Sequence, residues 1–232
     1  MSVDKNSGRR ALLIGYGRMG KLIESLSSQY GCQIVGHIDR SNVGRPDDWP
    51  RADVAIDFSN GDAVPVNFPK LAARGMAVVI GTTGWNAHEE ALKREAQARG
   101  VGVVAAPNFA LGVSIFTAMI ERAADAMSRR QDFGAWIHEL HHATKRDAPS
   151  GTALALFAAM RRAGYTANID VSSTRAGSIP GTHTIGFDAP AETITLTHTA
   201  RDRSVFARGA LEAAVWVHGQ KGWFTMRDVL GL

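Results

Sequence analysis

The sequence predicts an α/β protein of two domains, one built on a parallel sheet covered by helices, the other an α+β domain with a mixed or antiparallel sheet, inserted before the C-terminal helix. Three observations predict it. Short β-branched runs alternate with helical segments through the first 106 residues, a glycine-rich turn closes the first run, and past residue 109 the strands alternate polar and apolar side chains.

The strand runs are ALLIG (11–15), CQIVGHID (32–39), ADVAIDFS (52–59), MAVVIG (76–81) and VGVVAA (101–106). Near-continuous apolar runs belong to strands buried on both faces, and such parallel sheets take their ligands at the carboxyl ends of the strands. RMGKLIESLSSQY (18–30) and NAHEEALKREAQARG (86–100) read as helices. The second carries Glu89/Lys93 and Glu90/Arg94 four residues apart and stops at Gly100.

Between the first strand and the first helix stands GYGRMG: Gly15, Tyr16, Gly17, Arg18, Met19 and Gly20. Its glycines permit a tight turn, a close approach of backbone to a pyrophosphate, and close packing of helix on strand, while the helix N-terminus offers free amides. Six residues alone are a weak signal. The strand before, the helix after, and Asp39, nineteen residues past Gly20 at the end of the second strand, complete a Rossmann-like dinucleotide-binding pattern. Asp39 suits a ribose hydroxyl, whereas the adjacent Arg40 can pair with a 2′-phosphate, so the expected cofactor is NADH or NADPH. His37 reads as a packed or surface histidine. Two further strand ends, Gly81-Thr82-Thr83 in IGTTG and Ala106-Pro107-Asn108-Phe109 in APNF, either face the cofactor or are ordinary turns; local pattern leaves both readings open.

LGVSIFTAMIERAADAMSRR (111–130) reads as a helix with an apolar stripe at Val113, Phe116, Ile120 and Ala124 and a basic last turn. FGAWIHELHH, THTIGFD (182–188) and ETITLTHTA (192–200) read as strands, the last two antiparallel. SVFARGALEAAVWVHG (204–219) and the tail GWFTMRDVL return to the first domain. The expected domains are residues 1–108 with about 204–232, for the dinucleotide, and about 109–203, for substrate and oligomer contacts.

ELHHATKRDAPSGTA (139–153) concentrates the chemistry. Pro149 keeps Ala148 extended, Ser150 is a good N-cap, and the helix that follows ends near Gly164. The free amides of Gly151 and Thr152 then form an anion site suited to a carboxylate, with His141, His142 and Lys145 adding positive charge and exchangeable protons. A metal site of His138, His141 and His142 is not expected, since no cysteine is near and successive strand residues face opposite ways. A solvated polar edge is the plain alternative.

This stretch closely resembles the signature of the 4-hydroxy-tetrahydrodipicolinate reductases, historically dihydrodipicolinate reductases, of lysine and diaminopimelate synthesis. GYGRMG, IDFS, IGTTG, APNF, RAG followed by PGTHTIGF, and MRDVL are similar to that family in the same order, over nearly the whole chain. The resemblance implies NAD(P)H-dependent reduction of a cyclic imine dicarboxylate, with hydride to a ring carbon and a proton to its neighbour. It implies His141 as catalytic proton donor/acceptor, Lys145 as proton donor, and His142 with the Gly151 and Thr152 amides as the substrate-binding group. It assigns Gly15 through Gly20, Asp39, Arg40, Gly81, Thr82, Thr83, Ala106, Pro107, Asn108 and Phe109 to the cofactor, and it implies a homotetramer. The connections between Tyr165 and Arg175 and from Arg40 to Ala52 are shorter than in many members. Another two-domain dehydrogenase has no reason to carry H-H-x-x-K before D-A-P-S-G-T, and a non-catalytic dinucleotide sensor would be expected to have lost His141 or Lys145.

The composition agrees with an ordinary folded chain: 232 residues, 45% hydrophobic and 21% charged. Net charge is +4, but the basic residues come in scattered pairs such as Arg129-Arg130 and Arg161-Arg162, which excludes a nucleic-acid stripe. The excess suits small anions. The single Cys32 lies in an apolar run and reads as a buried structural thiol of a reducing compartment. MSVDKNSGRR lacks an apolar signal core, and no apolar run approaches the roughly 18 residues a membrane span needs, so a cytoplasmic protein without a membrane partner is expected.

Overall fold

A computed structural model describes residues 8–130 and 132–232; the polar start read above as lacking a signal core lies largely outside them, in residues 1–7. In chain order the elements are β1 Arg9–Ile14, α1 Arg18–Ser27, β2 Cys32–Ile38, β3 Val54–Asp57, α2 Val64–Ala73, β4 Ala77–Ile80, α3 Glu89–Arg99 and β5 Gly102–Ala105. There follow α4 Leu111–Met127, β6 Gly134–His141, α5 Gly151–Arg162, β7 Ile169–Arg175, β8 Thr182–Ala189, β9 Glu192–Thr199, α6 Ser204–Val217, β10 Gly222–Phe224 and α7 Met226–Leu230. Two compact units result: one runs to Leu111 and resumes over Ser204–Leu232, the other is Gly112–Arg203.

The first unit holds a six-stranded sheet in the order β10-β5-β4-β3-β1-β2, every pairing parallel. Along β1, Ala11 and Leu13 enter one core while Leu12 and Ile14 enter the other, which is why the run is apolar at every position. The first core is closed by Ile23 of α1 and by Ala207, Ala210, Leu211 and Ala214 of α6, the second by Phe68 and Leu71 of α2 and Leu92 and Ala96 of α3. Cys32 is a free, buried thiol in the first core, and burial pushes its pKa up. β2 and β3 flank β1 on opposite sides, so the chain reverses its direction of travel across the sheet there, and the crevice between β1 and β3 is the place such a sheet offers a ligand.

Several elements differ from the sequence pattern. The first helix turns 3₁₀ at Ser28–Tyr30. α2 carries Pro65 in its first turn and Pro69 inside, and a proline that removes a helical hydrogen bond hides the element from periodicity. In α3, Lys93 takes both Glu89 at 3.1 Å and Glu90 at 2.9 Å, and Arg94 adds its charge to Glu90. α4 ends at Met127, which leaves Arg129 and Arg130 beyond its last turn; Arg129 instead reaches Asp125 at 3.0 Å.

The second unit holds a four-stranded mixed sheet, β7-β6-β8-β9, with β6 and β7 parallel and the other pairs antiparallel. Phe116, Ile120 and Ala124 of α4 and Ala153, Leu156 and Met160 of α5 pack on Ala135, Ile137, Ile185 and Phe187. On β6 the buried positions are Ala135, Ile137, Glu139 and His141. The period of two therefore carries a carboxylate and an imidazole into the covered face, directly after two core residues.

Candidate active site

In the first unit a cavity of about 410 Å³ opens at the carboxyl ends of β1, β2 and β3, lined by Gly15 to Gly17, Asp39, Arg40, Ser59 and Asn67 among others. The backbone makes room for it. Gly15 has φ +88°, and a Cβ there would stand 2.7 Å from the Phe58 carbonyl oxygen; a Cβ on Gly20 would stand 2.5 Å from the Gly15 carbonyl oxygen. α1 starts at Arg18 with no side-chain cap from Gly17, leaving its first amides for an anion. Tyr16 stacks on His37 with ring centroids 4.0 Å apart, and its hydroxyl pairs with Glu24. Met19 packs against the first core.

Asp39 accepts from the Ser41 hydroxyl at 2.6 Å and the Ser41 amide at 2.8 Å, both on Oδ1, and these bonds hold its carboxyl below the usual range. Asn67, which the sequence pattern did not single out, is 2% exposed, lines the cavity, and has an Oδ1 without a partner. A glycine cradle, free helix amides, an ionised carboxylate and an orphaned buried amide oxygen fit a dinucleotide.

The other two strand ends meet at a smaller hollow of about 120 Å³, lined by Thr82, Thr83, Ala106 and Pro107 among others, while Gly81 lies against the Phe58 ring. Three side chains expected at the cofactor are otherwise engaged. The Thr82 hydroxyl donates to Asp57 Oδ1 at 2.8 Å, Asn108 Oδ1 accepts from the Ala110 amide at 2.8 Å, and the Phe109 ring is 1% exposed in the core. Of these side chains, the Asn108 Nδ2 amide keeps its donors for a ligand.

In the second unit, strand register builds the polar cluster. Glu139 stands opposite Ser173 on β7 and His183 on β8, and His141 opposite Arg175. Glu139 Oε2 accepts from His141 Nδ1, and Oε1 accepts from Arg175 at 2.6 Å and from the Ser150 amide at 3.3 Å. His183 Nε2 lies 3.0 Å from the Ser150 hydroxyl, and its ring meets that of His141 edge-on at 5.2 Å. Ser150 Oγ also accepts from the Ala153 amide at 3.2 Å, which caps α5 as its sequence predicts.

Burial would raise the Glu139 carboxyl, but hydrogen bonds from Arg175, Ser173 and His141 outweigh it and lower the pKa to about 2. Burial lowers His141 against the opposing pull of Glu139, and Lys145 and Arg175 lower it further. Burial, with His141 beside it, takes His183 to about 4, so this ring is neutral at neutral pH. Lys145 Nζ donates to both Asp147 carboxylate oxygens, at 2.8 and 2.9 Å. That bond, with help from the Gly151 amide, holds Asp147 below its usual range. An internal carboxylate thus already rests on the ammonium and the helix amide that the sequence marks as an anion site. Thr152 follows in the first turn of α5. His142 is half-buried, with Nδ1 2.8 Å from the Thr144 hydroxyl, and His138 bonds Thr174 at 3.0 Å on the other face.

Ligand atoms of Glu139, His141 and His183 lie within 4.8 Å of one another, a spacing a metal ion also needs. Both Glu139 oxygens are already taken by cationic or imidazole donors, and His183 bonds the Ser150 hydroxyl, so the three side chains are already engaged within the protein. Sequence reasoning gave no role to Glu139, Arg175 or His183. Glu139 was within reach of the period-two argument, being two residues before His141; the other two depend on pairing between distant strands.

Comparison with known proteins gives one answer. The family described as dihydrodipicolinate reductase, N-terminus, matches residues 9–109, and its C-terminus counterpart matches residues 112–230. The 4-hydroxy-tetrahydrodipicolinate reductase of Brucella abortus (strain 2308) is 37% identical over 260 residues, covering 93% of this chain and 96% of its own. That of Zymomonas mobilis subsp. mobilis is 36% identical over 255 residues, covering 98% and 99%. Among solved structures, dipicolinate-bound dihydrodipicolinate reductase from Paenisporosarcina sp. TG-14 superposes with a TM-score of 0.79 at 21% identity, covering 95% of this chain and 98% of that one, a likeness of fold. Amine dehydrogenase from Mycobacterium smegmatis shares the architecture more loosely, with a TM-score of 0.58 at 15% identity over 97% of this chain and 96% of the other.

Proposed function

The chain belongs to the dihydrodipicolinate reductase family, and we infer that it reduces 4-hydroxy-tetrahydrodipicolinate to tetrahydrodipicolinate with a reduced nicotinamide dinucleotide, the 4-hydroxyl leaving as water, a step of lysine and diaminopimelate synthesis. The observation that carries this reading is the second unit's pairing of a buried imidazole held by Glu139 with a nearby ammonium and helix-terminal amide that hold the carboxylate of Asp147. A dicarboxylate substrate needs the ammonium and amides, and a carbon gaining a hydride needs a proton for its neighbour. The reduced nicotinamide supplies that hydride.

In this reading His141 and Lys145 deliver the proton. His142 and the Gly151 and Thr152 amides hold a substrate carboxylate, taking over from Asp147 the charge on Lys145. Gly15 through Gly20 hold the pyrophosphate on the amides of α1. Asp39 accepts from a ribose hydroxyl, Arg40 meets a 2′-phosphate, and Thr82, Thr83, Ala106 and Pro107 line the second hollow, with Gly81, Asn108 and Phe109 beside them in the chain. The first unit is the dinucleotide-binding domain and the second the substrate and oligomerisation domain. The sheet face opposite α4 and α5 carries Trp136, His138, Leu140 and the paired Thr184 and Thr197, and this face suits a homotetramer. The buried, reduced Cys32 fits a cytoplasmic setting, and among the described residues no helix is long and apolar enough to cross a membrane.

The test follows reduced-nicotinamide absorbance with purified protein, fresh 4-hydroxy-tetrahydrodipicolinate, and NADH or NADPH in parallel. Substrate-dependent oxidation is expected with at least one of them. Arg40→Ala should cut the NADPH rate about tenfold and spare the NADH rate, because only the 2′-phosphate loses its partner. Binding of both cofactors without oxidation of either would point instead to a sensor or another substrate.

Lys145→Ala should lower kcat roughly 100-fold while NADH affinity, read by titration of its fluorescence, stays unchanged. An unchanged kcat would remove Lys145 from the proton path.

A further inference from the structure

We propose that Glu139 is a positioning residue for His141: it fixes the imidazole in the Nδ1–H form, with Arg175 anchoring the carboxylate, and leaves Nε2 as the nitrogen that exchanges a proton with substrate. The proposal rests on His141 being the proton donor.

Glu139 is fully buried, and a buried carboxylate is retained only where each oxygen is partnered. An ionised carboxylate can only accept, so the nitrogen facing Glu139 Oε2, His141 Nδ1, must carry the hydrogen. The neutral ring is thereby confined to one tautomer with Nε2 open. Nε2 is also the nitrogen nearest Gly181, where a Cβ would stand 3.0 Å from it, so the glycine keeps that side clear.

The titratable and charged groups facing His141 come from four places. Glu139 shares its strand, Lys145 follows in the loop beyond, Arg175 approaches from β7, and the neutral His183 lies edge-on from β8. Lys145 and Arg175 both disfavour an imidazolium, and burial does so more strongly; among the charges named, Glu139 alone favours it. Without that counter-charge the ring would release its proton at a lower pH. The same Glu139 oxygen that takes Arg175 takes the Ser150 amide, so the α5 terminus and the imidazole are set by one side chain.

The first test needs no substitution. Nitrogen-15 NMR of the histidine rings in the full chain should show His141 as the Nδ1–H tautomer above its pKa; an Nε2–H tautomer overturns the proposal. Glu139→Gln keeps an acceptor for Nδ1–H and removes the charge. It should move the alkaline limb of the kcat profile to lower pH and lower kcat at neutral pH on the order of 100-fold, with NADH affinity intact. Glu139→Asp should recover part of the loss. A folded Glu139→Gln protein with the wild-type profile overturns the proposal, and if that variant does not fold the tautomer measurement decides. An absence of turnover in the unaltered protein would count against the reductase reading, and the NMR result would still judge the role of Glu139.

Discussion

His141→Gln should lower kcat between about 10²- and 10⁴-fold, the usual contribution of a placed proton donor, and leave NADH affinity unchanged. Glutamine is close in size and can still donate toward Glu139, so the loss reports proton transfer more than collapse of the buried cluster. The pH dependence gives a second readout. A donor must be protonated to act, so activity is full below its pKa and falls as pH rises through it. Burial lowers the His141 pKa in spite of Glu139, so the fall begins at a lower pH than for a free imidazole. In His141→Gln that limb should vanish, and its survival would assign the titrating group elsewhere.

Gly20→Ala should weaken NADH binding on the order of 100-fold, about 2.7 kcal/mol. The added methyl would stand 2.5 Å from the Gly15 carbonyl oxygen, inside the turn that brings backbone to a pyrophosphate. Gly15 cannot yield easily, since it is itself pressed against the Phe58 carbonyl at a φ of +88°. The turn must open or α1 must shift, and either displaces the amides that hold the anion. Isothermal titration with NADH measures the loss, and the tautomer of His141, which lies in the other unit, should not change. Wild-type affinity would mean that the pyrophosphate does not rest on this turn.

Much of this was legible in the chain. The buried strands read as continuous apolar runs because both of their faces are covered, and Ser150 caps α5 because its signal is local. α2 was hidden by Pro65 and Pro69, and β7, a partly exposed run of mainly polar residues, is made a strand by pairing with β6. Asn67 gave no signal either, since nothing in its neighbourhood marks a buried amide.

The sequence by itself determined the two kinds of sheet, the glycine turn and the loop that joins imidazole, ammonium and helix amides, since each depends on residues within one turn or one strand of one another. Tertiary structure alone decided that Thr82 and Phe109 spend their side chains on the protein, and that Glu139 joins His141 to Arg175 and, through Ser150, to His183. The Glu139 contacts are set by register between β6, β7 and β8, and a slip of one residue would turn its side chain to the opposite face, something no local pattern encodes.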